Sequence, residues 1–202
     1  MEFPKRPARM MVAALLATAI LPMTAQAQFS DSYSFLKAAR DADGTKATEL
    51  LGEPGSTIVD TKDQKTGETA LHIVTQRRDL GWMGFLIGKG AKVDLTDKQG
   101  NTPLMVASQL GFFEGAQLLV GRKARVDAAN AQGETPLIRA VQNRDVRTVR
   151  LLLTAGANPD RADTLAGMSA RDYAKRDPRA TAVLKLIEEQ GKTRSEGMMG
   201  PK

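Results

Sequence analysis

The sequence predicts an all-α solenoid: short helix–turn–helix units stacked side by side and joined by projecting β-turn or hairpin loops. Three series of residues keeping one period predict it. "GETALHIVTQRRD" begins at Gly67, "GNTPLMVASQLGF" at Gly100, "GETPLIRAVQNRD" at Gly133 and "GMSARDYAKRDPR" at Gly167, spaced 33, 33 and 34 residues. Asp60, Asp94, Asp127 and Asp160 recur at 34, 33 and 33. Apolar blocks "FLIGKGAKVD", "LLVGRKARVD" and "LLLTAGANPD" start at 85, 118 and 151. A unit this small cannot bury an apolar face alone, so the units must stack.

The first residues carry an address. "MEFPKRPARM" sets Lys5, Arg6 and Arg9 against Glu2; "MVAALLATAILPM" and the small residues Ala25 and Ala27 follow. A basic stretch, a short apolar run and an A-x-A site make a secretory signal peptide. The run falls short of the roughly 20 apolar residues of a membrane span. Residues 1–27 are therefore expected to be removed after Ala27, leaving a periplasmic or secreted chain with no stable membrane insertion.

Charge and cysteine content narrow the classes. The net charge of +6 falls to +4 without the leader, and to about +2 without the basic end "GKTRSEGMMGPK". The basicity sits at the ends, which offers no case for nucleic acid, since that requires Lys and Arg clustered on one face. No cysteine is present, so neither a disulfide framework nor thiolate chemistry is available.

The folded part is expected over 28–190, in five units of about 32–60, 61–94, 95–127, 128–160 and 161–190. The first holds "SFLKAARDADGTKATELL", with Leu36, Ala39, Leu50 and Leu51 at core offsets but no Thr-Pro start. A terminal unit with one wet face has this character. In the middle units Thr102 and Thr135 are placed to cap a helix, with Pro in its first turn. Leu104 and Ala107 share a face, and small Ala107 and Ala140 admit close neighbours. Gly111 marks a tight turn before the second helix. Gly90 and Gly156 suit the left-handed position that ends a helix; Lys123 stands there in the middle unit and predicts either strain or a different cap. The turns Asp94–Gly100 and equivalents project. The last unit is polar (Arg171, Asp172, Lys175, Arg176), with a new helix start at Asp177-Pro178. Residues 191–202, rich in Gly, Ser and Lys, are expected to be a disordered tail.

These residues resemble ankyrin repeats. The pattern G-x-T-P-L-H-x-A-A-x-x-G…L-L-L-x-x-G-A-x-x-D is met most fully by 133–160 and 100–127. It is also met by 67–94, with Trp82 and Phe85 in place of small aliphatics. The resemblance covers about 32–190 and implies a non-catalytic module that binds a protein partner. In such proteins partners lie against the projecting turns and the exposed side of the first helix. Carried over by column, the helix positions are Gln76 and Arg77, Gln109 and Leu110, Gln142 and Asn143. The turn positions are Lys98, Gln99, Asn101, Ala131, Gln132 and Glu134. Gln76, Gln109 and Gln142 form a ladder, which is either a polar groove or simply a wet helix face, since Gln is a good helix former. Leu110, with Phe112 beside it, is the expected apolar anchor. A monomer with no cofactor is expected. An inhibitor or immunity-type protein that neutralises a cognate enzyme or toxin stays open as an alternative.

Catalysis and metal binding find little footing. His72, the single histidine, occupies the histidine of the T-P-L-H box, where the side chain typically bonds neighbouring turns. Its column continues as Met105, Ile138 and Asp172, so no chemistry repeats with it, and one histidine without cysteine does not make a zinc site. "DADG" at 41–44 fails the calcium-loop spacing, because the twelfth position is Gly52. No G-x-S-x-G and no phosphate-cradling glycine loop is present. Two turns, Asp60–Gly67 and Asp160–Gly167, are one residue longer than the central two. That predicts either brackets for a partner or cheap loop insertions.

Overall fold

A computed structural model describes residues 23–52 and 57–198, with side chains over 31–52 and 57–191. Residues 1–22, most of the expected leader, lie outside the described residues. The described residues form ten α-helices in five pairs. They are α1 (Met23–Asp41), α2 (Gly44–Gly52), α3 (Ala70–Gln76), α4 (Leu80–Gly88) and α5 (Pro103–Gln109). Then come α6 (Phe113–Gly121), α7 (Pro136–Gln142), α8 (Val146–Thr154), α9 (Ala170–Arg176) and α10 (Thr181–Met198). Short 3-10 turns, Ile58–Asp60 and Pro178–Ala180, precede α3 and α10. Helices α1, α3, α5, α7 and α9 stack in one row, and α4, α6, α8 and α10 in a second.

Helices of seven residues are too short to persist alone in water, so caps and stacking must hold them. Thr102 Oγ1 accepts from Met105 N–H and Thr135 Oγ1 from Ile138 N–H, both at 3.3 Å, with Pro103 and Pro136 in the first turn. The second helices begin at Asp79, which accepts from Trp82 N–H at 3.0 Å, and at Asp145, which accepts from Arg147 and Thr148 N–H. From the second repeat onward the buried residues fall in columns: Leu71, Leu104, Leu137; Met83, Ala116, Val149, Val183; Leu86, Leu119, Leu152, Leu186. Burying each Leu fully contributes on the order of 2 kcal/mol.

Successive turns are sewn together by backbone. Lys98 N–H donates to Thr66 O, Ala131 N–H to Gln99 O and Thr164 N–H to Gln132 O, at 2.8–2.9 Å. Gly67, Gly100 and Gly133 sit at φ +76, +82 and +75, where a Cβ would meet the next turn's backbone nitrogen at 2.7–2.8 Å. The Asp series makes a second seam: Asp60, Asp94 and Asp127 accept the N–H of Lys92, Arg125 and Asn158 from the following repeat, each at 2.9 Å.

Some expectations are corrected or refined. The last helix does not stop near Gly191; α10 continues to Met198, since no proline interrupts it and extending an existing helix needs no new nucleus. The side chain of Asp43 in "DADG" accepts from Lys46 N–H and starts α2, so the stretch is a helix link. The longer outer turns close β-bridges, Lys62 to Thr69 and Ala162 to Ser169. Lys123 does adopt the left-handed conformation at φ +62, as Gly90 and Gly156 do at +92 and +94.

Candidate protein-binding surface

The first helix of each middle repeat buries one side completely and turns the other toward the projecting loops. Gln76, Gln109 and Gln142 are all exposed at helix ends. Between α3, α5 and the turns before them lies a cleft of about 550 Å³. Six predicted residues line it: Gln76, Gln109, Leu110, Lys98, Gln99 and Asn101. Lys65, Thr66, Glu68, Asp97 and Val106 complete the wall. The sequence argument missed these five because its turn positions came only from 98–101 and 131–134, and its helix positions only from the end of each first helix. Val106 forms an apolar floor at 8% exposure. Glu68 is held by Thr66 Oγ1 and by the side-chain amide of Gln76, so its charge is already engaged. Gln109 and Leu110 also border a smaller cleft of about 330 Å³ that runs toward Asn143 and Arg147.

The remaining predicted residues divide. Gln132 and Gln142 are exposed but lie outside the main cleft. Glu134 and Arg77 are structural, as is Asn101 of the cleft wall. Asn101, 7% exposed, donates from its side chain to Asp97 Oδ2 and Gln99 Oε1. Glu134, also 7% exposed, accepts from Asn130 at 2.8 Å and pairs with Arg139 at 2.6 Å. Arg77 donates to the carbonyls of Ala39 and Arg40 in the first repeat, pairs with Asp79 at 2.7 Å and lies 5.6 Å from the Trp82 ring. Asn143 is exposed, yet its side chain donates to Ser108 O at 3.1 Å. Phe112, expected beside Leu110 at the surface, is 7% exposed and belongs to the core. A turn position next to Gly folds inward when its side chain completes an Asx network, and column alignment does not register that.

His72 is fully buried. Its Nδ1 accepts from Thr69 N–H at 3.2 Å, and a backbone N–H only donates, so Nδ1 carries no proton. Nε2–H then donates to the carbonyl of Asn101 at 2.9 Å. Burial pushes the imidazole pKa down, partly offset by the Asn101 bond. Both nitrogens are occupied, so no lone pair faces solvent for a base or a ligand. Asp63, at the edge of the turn before α3, is drawn down to about 2 by the N–H of Thr66, the Arg40 guanidinium and the N–H of Lys65. It secures the turn, as Asp97 does for the next.

The ankyrin-repeat family model (three copies) matches residues 35–130 and again 81–163. The chain belongs to the ankyrin-repeat family. No curated protein matches it as a relative. Ankyrin repeats are generally protein–protein interaction modules, and the surface built here has that character: polar amides around a small apolar floor. Among the described residues no ankyrin helix is long and apolar enough to cross a membrane.

Proposed function

We propose that this ankyrin-repeat protein is exported to the periplasm of a Gram-negative cell and holds a protein partner along the cleft between its turns and first helices. The cleft itself supports the reading. It gathers the exposed amides of Gln76, Gln99 and Gln109, the ammonium of Lys98 and the partly exposed Leu110 around one depression. Amides both donate and accept, which suits a protein surface or main chain. A partly exposed Leu among polar neighbours is the usual form of an anchor. The leader pattern at 1–27 supports export.

The test is affinity capture from periplasmic extract with residues 28–202 as bait, beside Gln109→Arg and Leu110→Asp variants. A protein retained by the first and lost by both variants places the partner on this cleft. Retention in a one-to-one complex with loss of that partner's enzymatic activity turns the reading to an inhibitor. Equal retention by all three baits removes the cleft from the account. Mass spectrometry of the full-length chain expressed in its host checks export, with an N-terminus at Gln28 expected.

A further inference from the structure

The outer face of the solenoid has glycines that its own packing does not require. Gly115 in α6 is needed, because a Cβ there would lie 2.5 Å from the Phe112 ring. Gly84 in α4 and Gly121 in α6 have nothing within 4 Å of where a Cβ would stand, although glycine in a helix is less favourable than alanine. Both line a trough of about 460 Å³ between α4 and α6, together with Leu80 and Leu118. Leu80 is 43% exposed. Arg122 also borders a second depression, lined by Ile87, Val93, Leu95 and Lys123.

The rim is positive. Arg122 and Lys123 are exposed and make no side-chain hydrogen bond or ion pair among the described residues. The bordering carboxylates are engaged: Glu114 by Arg147 at 3.3 Å, and Asp94 by the side chain of Arg125 at 3.6 Å and its N–H at 2.9 Å. An apolar trough with small residues at its bottom and unpaired cations at its edge fits one class of occupant.

We propose that this trough takes an acidic amphipathic helix of a partner protein, with its apolar stripe between α4 and α6 and its carboxylates on Arg122 and Lys123. Helix-in-groove recognition needs this combination of apolar floor and charged border, and the two glycines let the incoming backbone approach. A second copy of this chain would set cations against cations. A lipid surface takes apolar side chains that protrude, and here they line a depression.

The probe is a synthetic helical peptide of about 20 residues, long enough to hold helix in water. It carries Leu along one stripe, Ala beside it and Glu elsewhere, and is compared with the same peptide bearing Lys for Glu. The full chain is expected to bind the Glu peptide and not the Lys peptide, more weakly as salt rises. Arg122→Glu with Lys123→Glu is expected to weaken binding about tenfold or more. Gly84→Ala with Gly121→Ala is expected to raise the Tm by about 4 °C while also weakening binding, a pairing that a general loss of structure cannot produce. Gln109→Arg in the other cleft leaves this binding unchanged, so the two surfaces stand or fall separately. Equal binding of both peptides, binding of neither, or full binding by the glycine double variant overturns the proposal. So does association with phosphatidylserine vesicles in the absence of peptide binding.

Discussion

His72 and Asn101, 29 residues apart, are joined through the histidine Nε2 and the asparagine carbonyl at 2.9 Å. The same ring accepts from Thr69 N–H at its other nitrogen. One side chain therefore caps α3 and fastens the following turn, which forms a wall of the cleft. It does so only as the neutral ring, because a protonated Nδ1 would face a donor.

Acid should loosen the fold in two stages. The folded pKa of His72 lies below its ordinary 6.5, so the unfolded chain binds a proton that the folded chain refuses. Stability is full above about pH 6.5 and falls as pH drops from there toward the folded value. Asp63 and Asp177 have folded values lowered to about 2 from 3.8. Their contribution is full above about pH 4 and is lost between there and pH 2. Urea midpoints measured from pH 8 to 2 should show both stages. In His72→Met, which copies the next repeat's residue, the upper stage should vanish.

Glycine substitutions should differ by position. Gly133→Ala adds a Cβ 2.7 Å from Thr164 N in a left-handed conformation, and should destabilise by about 3 kcal/mol, strain and displacement combined. Gly167 has φ +64 with nothing within 4 Å, because no further turn follows it. Gly167→Ala should cost only the conformational part, about 1 kcal/mol. Thermal or urea unfolding of the two variants checks the difference.

Lys123 is the odd residue in a glycine column, at φ +62. Lys123→Gly should stabilise the protein by about 0.5–1 kcal/mol, the relief of left-handed strain less the entropy that glycine loses on folding. No gain in Tm would mean that the lysine side chain supplies something at that helix end.

Glu134 and Gln132 are near neighbours with opposite duties. Glu134→Ala removes the carboxylate that Asn130 and Arg139 share and should destabilise by about 2–3 kcal/mol, since it leaves polar groups buried without partners. Gln132→Ala is exposed at the tip and should stay within about 0.5 kcal/mol of the parent. Unfolding curves for both test whether the buried Asx network was assigned correctly.

Much of the fold could be read from the chain because each beat states its own local physics. Thr102 before Pro103 starts a helix, Gly111 ends one, and Leu104 with Ala107 marks the buried side. Repetition at 33 residues then supplies the stacking. The candidate site was legible only in part. Gln76, Gln109, Leu110, Lys98 and Gln99 do meet in one cleft, because residues in one column lie on one face of a regular stack.

What the sequence determined by itself was the architecture: a one-dimensional solenoid whose contacts run between nearest repeats, so that period and caps suffice to define it. What only the tertiary structure decided was the fate of individual polar side chains. Asn101, Glu134 and Arg77 share columns with surface residues, yet they turn inward, Asn101 and Glu134 to polar groups of their own turns and Arg77 to the backbone of the preceding repeat. Gly84 and Gly115 look alike in the sequence, but a neighbouring ring stands over one and open space over the other. Such differences depend on how each neighbouring side chain is turned in the packed stack, and residue spacing along the chain carries no record of that.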